Sequence, residues 1–458
     1  MRATGNCLNS RNGAMTVLLF VHRRSAGLVM ETIWASQRNS LVVLLLAGAG
    51  PALAQQTETL AEPLGTHGGG DVLSVEHHRR YAIPDLAPLT LPTAEQAARF
   101  FTIRPSVALL GDWTNFNQDV VNVGQVGIQE DEFQVRSARV SLLGSVGGSY
   151  KVSFQVGGEY KGFDSEPEQQ WNLTDLSLTF PIGARTKLSV GKIKETFAYE
   201  MVGDAANLQH PERVLNPFFV SRNFGARVIQ VLGADKRATL SYGAYNDGWD
   251  INSKSSRGWD LTARVTALAW DDPAHNNFLH LGLSYRHVAA DGVLRYRGRA
   301  ETNVGDNFID TGDITANSAD HFGLEALLNV GSVSLLGEVI SARVNTPGPD
   351  DPVFGGYYLT ASWVVTGETR PYDRNVGYAR RVVPRGFWGA PELVARFAHV
   401  DLDNGSVTGG AYDRATLGAN WWATTRWKFG MFWGHTWLNR FGTRGSSDTL
   451  LTRVQWVY

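Results

Sequence analysis

The stretch TLLTRVQWVY, residues 449–458, decides the fold. Its residues alternate in steps of two: Leu450, Thr452, Val454, Trp456 and Tyr458 fall on one side, Arg453 and Gln455 on the other. A strand needs that pattern when one face meets lipid and the other an aqueous lumen. A chain ending on an aromatic at the greasy face carries the closing signature of bacterial outer-membrane barrels. The expected fold class is therefore all-β, a transmembrane antiparallel barrel, and a pore is expected before a soluble enzyme.

The opposite end points the same way. Arg38 precedes an apolar run over 41–46, then small residues and Ala52-Leu53-Ala54 before Gln55-Gln56, the order of a secretory signal with a small-residue cleavage site. The expected organisation is a leader and signal peptide over 1–54, with Met30 as an alternative start, a Pro-bearing periplasmic lead over 55–103, and a barrel over 104–458. No stretch after the signal reaches the run of roughly 18 to 20 apolar residues that a spanning helix needs. If the mature chain crosses a membrane, it must do so as a closed barrel, because only helices and closed sheets satisfy every backbone polar group in lipid.

Composition adds bounds. The 49 glycines and 11% aromatic content suit strands and turns. The single cysteine, Cys7, lies in the leader, which excludes disulfides and cysteine-ligated metals from the mature chain. Removing 1–54 leaves 37 basic against 43 acidic groups, so nucleic acid is not an expected partner.

Sixteen alternating segments follow one another: 104–113, 133–144, 150–158, 172–180, 187–194, 225–233, 238–246, 259–269, 277–286, 320–330, 333–343, 354–366, 391–401, 413–422, 426–436 and 449–458. With an even count and both termini on one side, odd-numbered connections lie outside and are long, and even-numbered ones are tight periplasmic turns. Links such as 145–149, 181–186, 234–237, 271–276 and 423–425 are short, and 114–132, 195–224 and 287–319 are long. The exception is 367–390, long where a short turn is due. In 259–267, Leu261, Ala263, Val265 and Ala267 oppose Asp260, Thr262, Arg264 and Thr266. A soluble sandwich shows similar alternation, but it leaves the signal, the ending and the loop order unexplained together.

Sixteen strands enclose a water-filled channel, so function depends on what narrows it. The third outer connection, 195–224, is too long merely to close a hairpin. It holds His210, Glu212, Arg213 and Arg222, with Leu215, Phe218, Phe219 and Val220 as apolar anchors to the wall. In the fifth outer connection Arg295, Arg297 and Arg299 alternate with Leu294, Tyr296 and Gly298, which puts three guanidiniums on one side of an extended segment. Such a row can grip a phosphate or carboxylate by paired hydrogen bonds, or it can be a solvated loop face. Arg213 and Arg222 have a competing role as pins of the third loop. Arg136, Arg139, Arg227, Arg264 and Arg396 are either lumen charges or partners of carboxylates across the wall and on the inward loop. Trp427, Phe429, Met431 and Trp433 read as a lipid-facing stripe, and Trp421 and Trp437 as interfacial aromatics.

Several stretches, FQVRSARVSLLG (133–144), LSVGKIKETF (188–197), ERVLNPFFVSRNFGARV (212–228), LRYRGRAE (294–301) with DTGDI (310–314), and YYLTASWVVTGETRPYD (357–373) with ELVARFAHVDLD (392–403), resemble in order the phosphate-selective porin O and P family. The resemblance implies a trimeric, sixteen-stranded outer-membrane channel for small anions, with loops three and five reaching into the pore. It aligns Lys194 with the family's FKEPF-like lysine, Arg213 with its ERS-like arginine, Arg222 with its GRN-like arginine, and Arg295, Arg297 and Arg299 with its RFRAR-like run. The chain departs at KETF and VSRN. Its first outer connection carries Asp119, Glu130, Asp131 and Glu132 with no Lys or Arg, the sign opposite to a vestibule that concentrates phosphate.

The expected anion pathway is therefore Lys194, Arg213, Arg222, Arg295, Arg297 and Arg299, with Arg139 and Arg227 on the wall. The expected partners are membrane lipid and outer-membrane lipopolysaccharide, small anions and two further copies of the chain. No cofactor and no metal are expected; Asp247, Asp250, Asp350 and Asp351 read as solvated acidic turns before a calcium site. The sequence holds no HExxH, GxSxG or phosphate-cradling GxxxxGK[ST]. The open alternatives are a general porin, an outer-membrane barrel hydrolase with a Ser–His pair on the outer wall, and a non-conducting adhesion barrel.

Overall fold

The computed structural model describes residues 101–458 apart from 148–149, 161–170 and 247–257. The signal reading of 1–54 and nearly all of the 55–103 lead lie outside the described residues, as do Asp247 and Asp250. The sheet is a closed barrel of sixteen strands, each paired antiparallel with its neighbours in sequence. In chain order they are β1 (Phe101–Gln118), β2 (Glu132–Val146), β3 (Val152–Tyr160), β4 (Trp171–Gly183), β5 (Thr186–Lys194), β6 (Arg222–Leu232), β7 (Ala238–Asn246), β8 (Trp259–Asp272), β9 (Asn277–Leu294), β12 (Ile314–Val330), β13 (Val333–Asn345), β14 (Val353–Val364), β17 (Ala390–Asn404), β18 (Val407–Trp422), β19 (Trp427–Arg440) and β20 (Thr443–Val457). Two short ribbons sit apart from the wall, β10 (Arg297–Gly298) with β11 (Ile309–Asp310) and β15 (Tyr372–Asp373) with β16 (Tyr378–Ala379).

The quoted stretch closes the cylinder. Strand β20 pairs with β1 from Ala108 opposite Val457 to Gln118 opposite Ser447, which leaves the sheet without an edge. Arg453 and Gln455 are buried on the inner face, while Val454 lies on the outer one, 47% exposed. β13 shows the two faces most cleanly: Ser334, Leu336, Glu338, Ile340, Ala342 and Val344 are buried, and Val333, Leu335 and Val339 are exposed. An apolar exposed face and a buried inner face is the arrangement that lipid outside dictates.

All sixteen expected segments are barrel strands, but several run farther at the outer end. The connections after β17 and β19 shrink to tight turns at Gly405 (φ 58°) and at Phe441-Gly442 (φ 56° and 71°) where longer loops were expected. The apolar alternation stops below the pairing because the outward positions there become polar. Directly opposed pairs His287–Asp320, His399–Asp413 and His435–Asp448, each 2.8 Å from Nδ1 to Oδ1, mark that change on three parts of the wall.

The first outer connection forms helix α1 (Val120–Val126), capped by the Asp119 carboxylate, which accepts from Asn122 N at 2.6 Å. The same carboxylate accepts from Ser446 N at 2.7 Å and so ties the acidic mouth to β20. At the other end the connections are tight, save 365–389. That segment adds no strand to the wall. It carries the β15–β16 ribbon, and Val376 and Gly377 accept hydrogen bonds from Arg264 of the inner wall.

Candidate channel constriction

The third outer connection leaves β5 at Lys194 and folds into the cylinder, with almost every residue from Glu195 to Leu215 buried. Its turn at Ala198 (φ 66°) starts α2 (Tyr199–Val202). The first amides of α2 are satisfied by Glu338 of β13, which accepts from Tyr199 N at 2.7 Å and Glu200 N at 3.4 Å. Leu215 and Phe218 are fully buried and Phe219 packs against the same cluster, as anchors should; Phe197, Met201 and Val214 join them.

Carboxylates of this loop reach arginines of the wall. Glu195 accepts from Arg286 at 2.8 Å, and Arg286 also holds Asp260 at 2.7 Å. Glu200 accepts from Arg396 at 2.6 Å and lies 2.8 Å from His210 Nε2. Burial alone would push the Glu200 carboxyl up, but the Arg396 guanidinium and His210 overrule it and hold the group down at about 2. Glu212 binds Arg136 at 2.6 Å and also Arg453, which in turn grips Asp112 at 2.5 Å. The fifth connection adds Glu301, bound by Arg396 at 3.1 Å and Arg414 at 3.2 Å. For Arg136, Arg264 and Arg396, the pairing reading is what the geometry displays.

The expected pathway residues fall into two groups. Lys194 Nζ and Arg213 Nη2 both donate to the carbonyl of Gly203, at 3.4 and 3.1 Å, and Arg213 Nε donates to Glu200 O at 2.6 Å. Burial and the neighbouring Arg136 lower the Arg213 pKa. Around them Arg222 binds Asp175 at 2.9 Å, Arg139 lies 3.3 Å from Glu159 and 3.6 Å from Asp204, and Arg227 donates to Lys194 O at 3.1 Å.

The second group lies on the ribbon of the fifth connection. Arg295 pairs with Asp310 at 2.6 Å and Asp313 at 3.6 Å, Arg297 is exposed, and Arg299 donates to Gly305 O at 2.6 Å. Between them Tyr296 is buried against Phe218 and Phe354, so this ribbon packs on the third loop. A Cβ on Gly298 would stand 3.0 Å from both Asn216 and Pro217, which explains the glycine there. In the neighbouring outer turn Asp351 is taken up by Arg343 at 3.0 Å and Thr346 N at 3.1 Å.

The segment 365–389 meets the third loop from below. Arg370 binds Glu392, Arg374 binds Asp271 at 2.7 Å, and Tyr378 OH accepts from Asn207 at 3.0 Å. Tyr199 OH accepts from Ala379 N at 3.1 Å, and Lys428 donates to Leu208 O at 2.8 Å. A small cavity remains between the two segments, lined by Tyr199, Asn207, His210, Arg370 and Tyr378. None of these five was expected as a site residue. The arginines at 370, 374, 380, 381 and 385, crowded where a tight turn was due, were the available signal.

A family model described as phosphate-selective porin O and P matches residues 111–437. An uncharacterized protein of Caulobacter vibrioides is 27% identical over 165 residues, 34% of this chain and 33% of that protein, so the chain matches about a third of that curated relative's length. Among solved structures, the outer-membrane expressed OmpT of Vibrio cholerae aligns over 79% of this chain and 99% of its own, at 10% identity and a TM-score of 0.52. The in-vitro folded trimer form of the Vibrio cholerae protein covers 79% and 100%, at 10% identity and 0.51. At such identities the likeness speaks for the fold.

Proposed function

The chain belongs to the phosphate-selective porin O and P family, whose place is the bacterial outer membrane, and from that premise we propose that it is a passive channel preferring small hydrophilic anions. The observation that carries this reading is uneven neutralisation inside the barrel. Arg264, Arg286, Arg396, Arg414 and Arg453 are each closed on carboxylates. Arg213 and Arg227 rest on backbone carbonyls instead, so their full charges are solvated by dipoles and remain able to attract an anion. Conduction needs a site that draws the ion in and lets it leave, which a few spaced cations serve better than a tight cage.

In this reading small anions such as phosphate or polyphosphate pass the outer loops, slow beside Lys194, Arg213 and Arg222, and leave to the periplasm without covalent chemistry. Arg295, Arg297 and Arg299 guide entry, and Arg139 and Arg227 line the wall. The protein is a homotrimer amid lipid and lipopolysaccharide; the Vibrio protein described in trimer form supports that assembly. Residues 1–54 are removed on export and 55–100 are a periplasmic lead, the expected boundary at 103 moving back because β1 begins at Phe101. Purified protein in a planar bilayer under a salt gradient should give a reversal potential on the anion side. A cation-sided value would discard the anion preference and keep the channel.

One observation favours a general, weakly selective porin. The outer mouth carries exposed Glu130, Asp131 and Glu132, whose field repels anions at low ionic strength. A reversal potential near zero that moves toward the anion side as salt is raised would identify that mouth as the opposing element.

A further inference from the structure

The connection 365–389 has a second end, which turns away from the lumen. The amide of Gly389 donates to Gly386 O at 3.1 Å, closing a turn whose tip is Phe387-Trp388. Phe387 is 92% exposed and Trp388 is 80% exposed. Their rings meet edge to face at 5.3 Å, so the tip is a preformed aromatic knob. Two adjacent aromatics held out in water are a standing cost that a periplasmic turn has no structural need to bear.

The knob lies at a known surface. Trp421, on the exposed face of β18, donates Nε1 to Trp388 O at 2.8 Å. From Trp421 a row of rings continues along the outer face: Phe429 at 5.4 Å, Trp427 at 6.1 Å from Phe429, Trp456 at 6.4 Å from Trp427, and Tyr458 at 6.3 Å from Trp456. Such a row at the periplasmic end of a lipid-facing wall is an interfacial aromatic belt. Gly389 (φ 75°) allows the turn to reach it. A side chain there would strike Trp422 O at 2.5 Å and Trp421 Nε1 at 2.9 Å. Arg385, exposed beside the knob, adds a cation next to it.

We propose that the 386–389 turn is a membrane anchor: Phe387 and Trp388 insert among phospholipid headgroups of the periplasmic leaflet and extend the aromatic belt beyond the barrel wall, with Arg385 facing a lipid phosphate. The connection is then held at both ends, by Arg374 and Tyr378 in the lumen and by the knob in lipid. The occupant is phospholipid because the knob continues a belt whose other members already belong to the lipid face. Nothing in this depends on which ions the channel passes.

The test uses the full chain with Cys7→Ser, which removes its only cysteine. Phe387→Cys, Trp388→Cys and, as a solvent control in the 233–237 turn, Asp235→Cys are each labelled with an environment-sensitive fluorophore. The labelled proteins are reconstituted in phosphatidylethanolamine–phosphatidylglycerol vesicles. Labels at 387 and 388 should emit to the blue of the label at 235 and lose intensity when headgroup-proximal doxyl lipids are added. Water-like, unquenched emission at both positions overturns the anchor. So does a blue shift without lipid quenching but with cross-linking between copies, which assigns the knob to a second protomer. Equal quenching at 235 overturns it as well. The two knob positions are solvent-exposed side chains, so if one variant fails to assemble the other still decides.

Discussion

The loop 195–221 and the connection 365–389 enter one lumen from opposite ends and are fastened with opposite polarity. The loop from outside offers carboxylates, Glu195, Glu200 and Glu212, to arginines of the wall. The connection from the periplasm offers arginines, Arg370 and Arg374, to wall carboxylates Glu392 and Asp271. Each inward segment brings the sign that its stretch of wall lacks, and fixed charges in a low-dielectric interior demand that match. The two differ in wetness too. The Glu212–Arg453 side chains are 8% and 2% exposed and Arg370–Glu392 is as dry, at 4% and 0%, whereas Arg374 of the inner connection is 28% exposed. Breaking the outer fastening at Glu212 should therefore cost far more than breaking the inner one at Arg374.

The largest effect is expected at Glu212. Glu212→Leu leaves Arg136 and Arg453 facing each other across a buried gap, and losing one partner of such a group costs about 3–5 kcal/mol. Loop 195–221 should leave the lumen and single-channel conductance should rise; an unchanged conductance would mean that the carboxylate does not hold the loop. Acid should reach a similar end by another route. The Glu200 carboxyl sits at about 2, below its ordinary 4.5, so its contribution is present above pH 4.5 and is lost as pH falls from 4.5 toward 2. The difference is of order 3 kcal/mol, and conductance should increase over that window. In Glu200→Gln the acid step should vanish.

A smaller change is expected from Arg374→Ser. A half-wet ion pair is worth about 1 kcal/mol or less, so brief openings should become more frequent while mean conductance barely moves. Bursts as large as those of Glu212→Leu would show the two fastenings to be equal and undo the comparison. Smallest of all should be the triple change of Arg295, Arg297 and Arg299 to Ser, since Arg295 already spends its charge on Asp310. A slight loss of anion preference in the reversal potential is expected, and no shift would take the ribbon off the path.

Much of this was readable from residues. The alternation of 449–458, the even count and the order of long and short connections carry the barrel, because lipid outside and a filled lumen inside force a period of two. Loop 195–221 was visible through its length and through Leu215 and Phe218. The inner connection was visible only as an anomaly, since Arg370 and Arg374 are as common in solvated turns as in docked ones. The strand ends at 402–412 and 437–448 are not legible in the sequence because outward Asp401, Asp413 and Asp448 end the apolar pattern while backbone pairing continues above the lipid. Which arginines are neutralised was not legible at all: Arg213 and Arg227 look like Arg136 and Arg396 until the folded partners are known.

Selectivity rests on Arg213 and Arg227, two guanidiniums at the constriction that donate to backbone carbonyls. The reversal potential of the Arg213→Gln, Arg227→Gln double variant, set beside that of the unaltered chain under one salt gradient, tests this most directly. The potential should be anion-sided for the unaltered chain and collapse toward zero in the double variant. An anion-sided potential that survives both substitutions would contradict it.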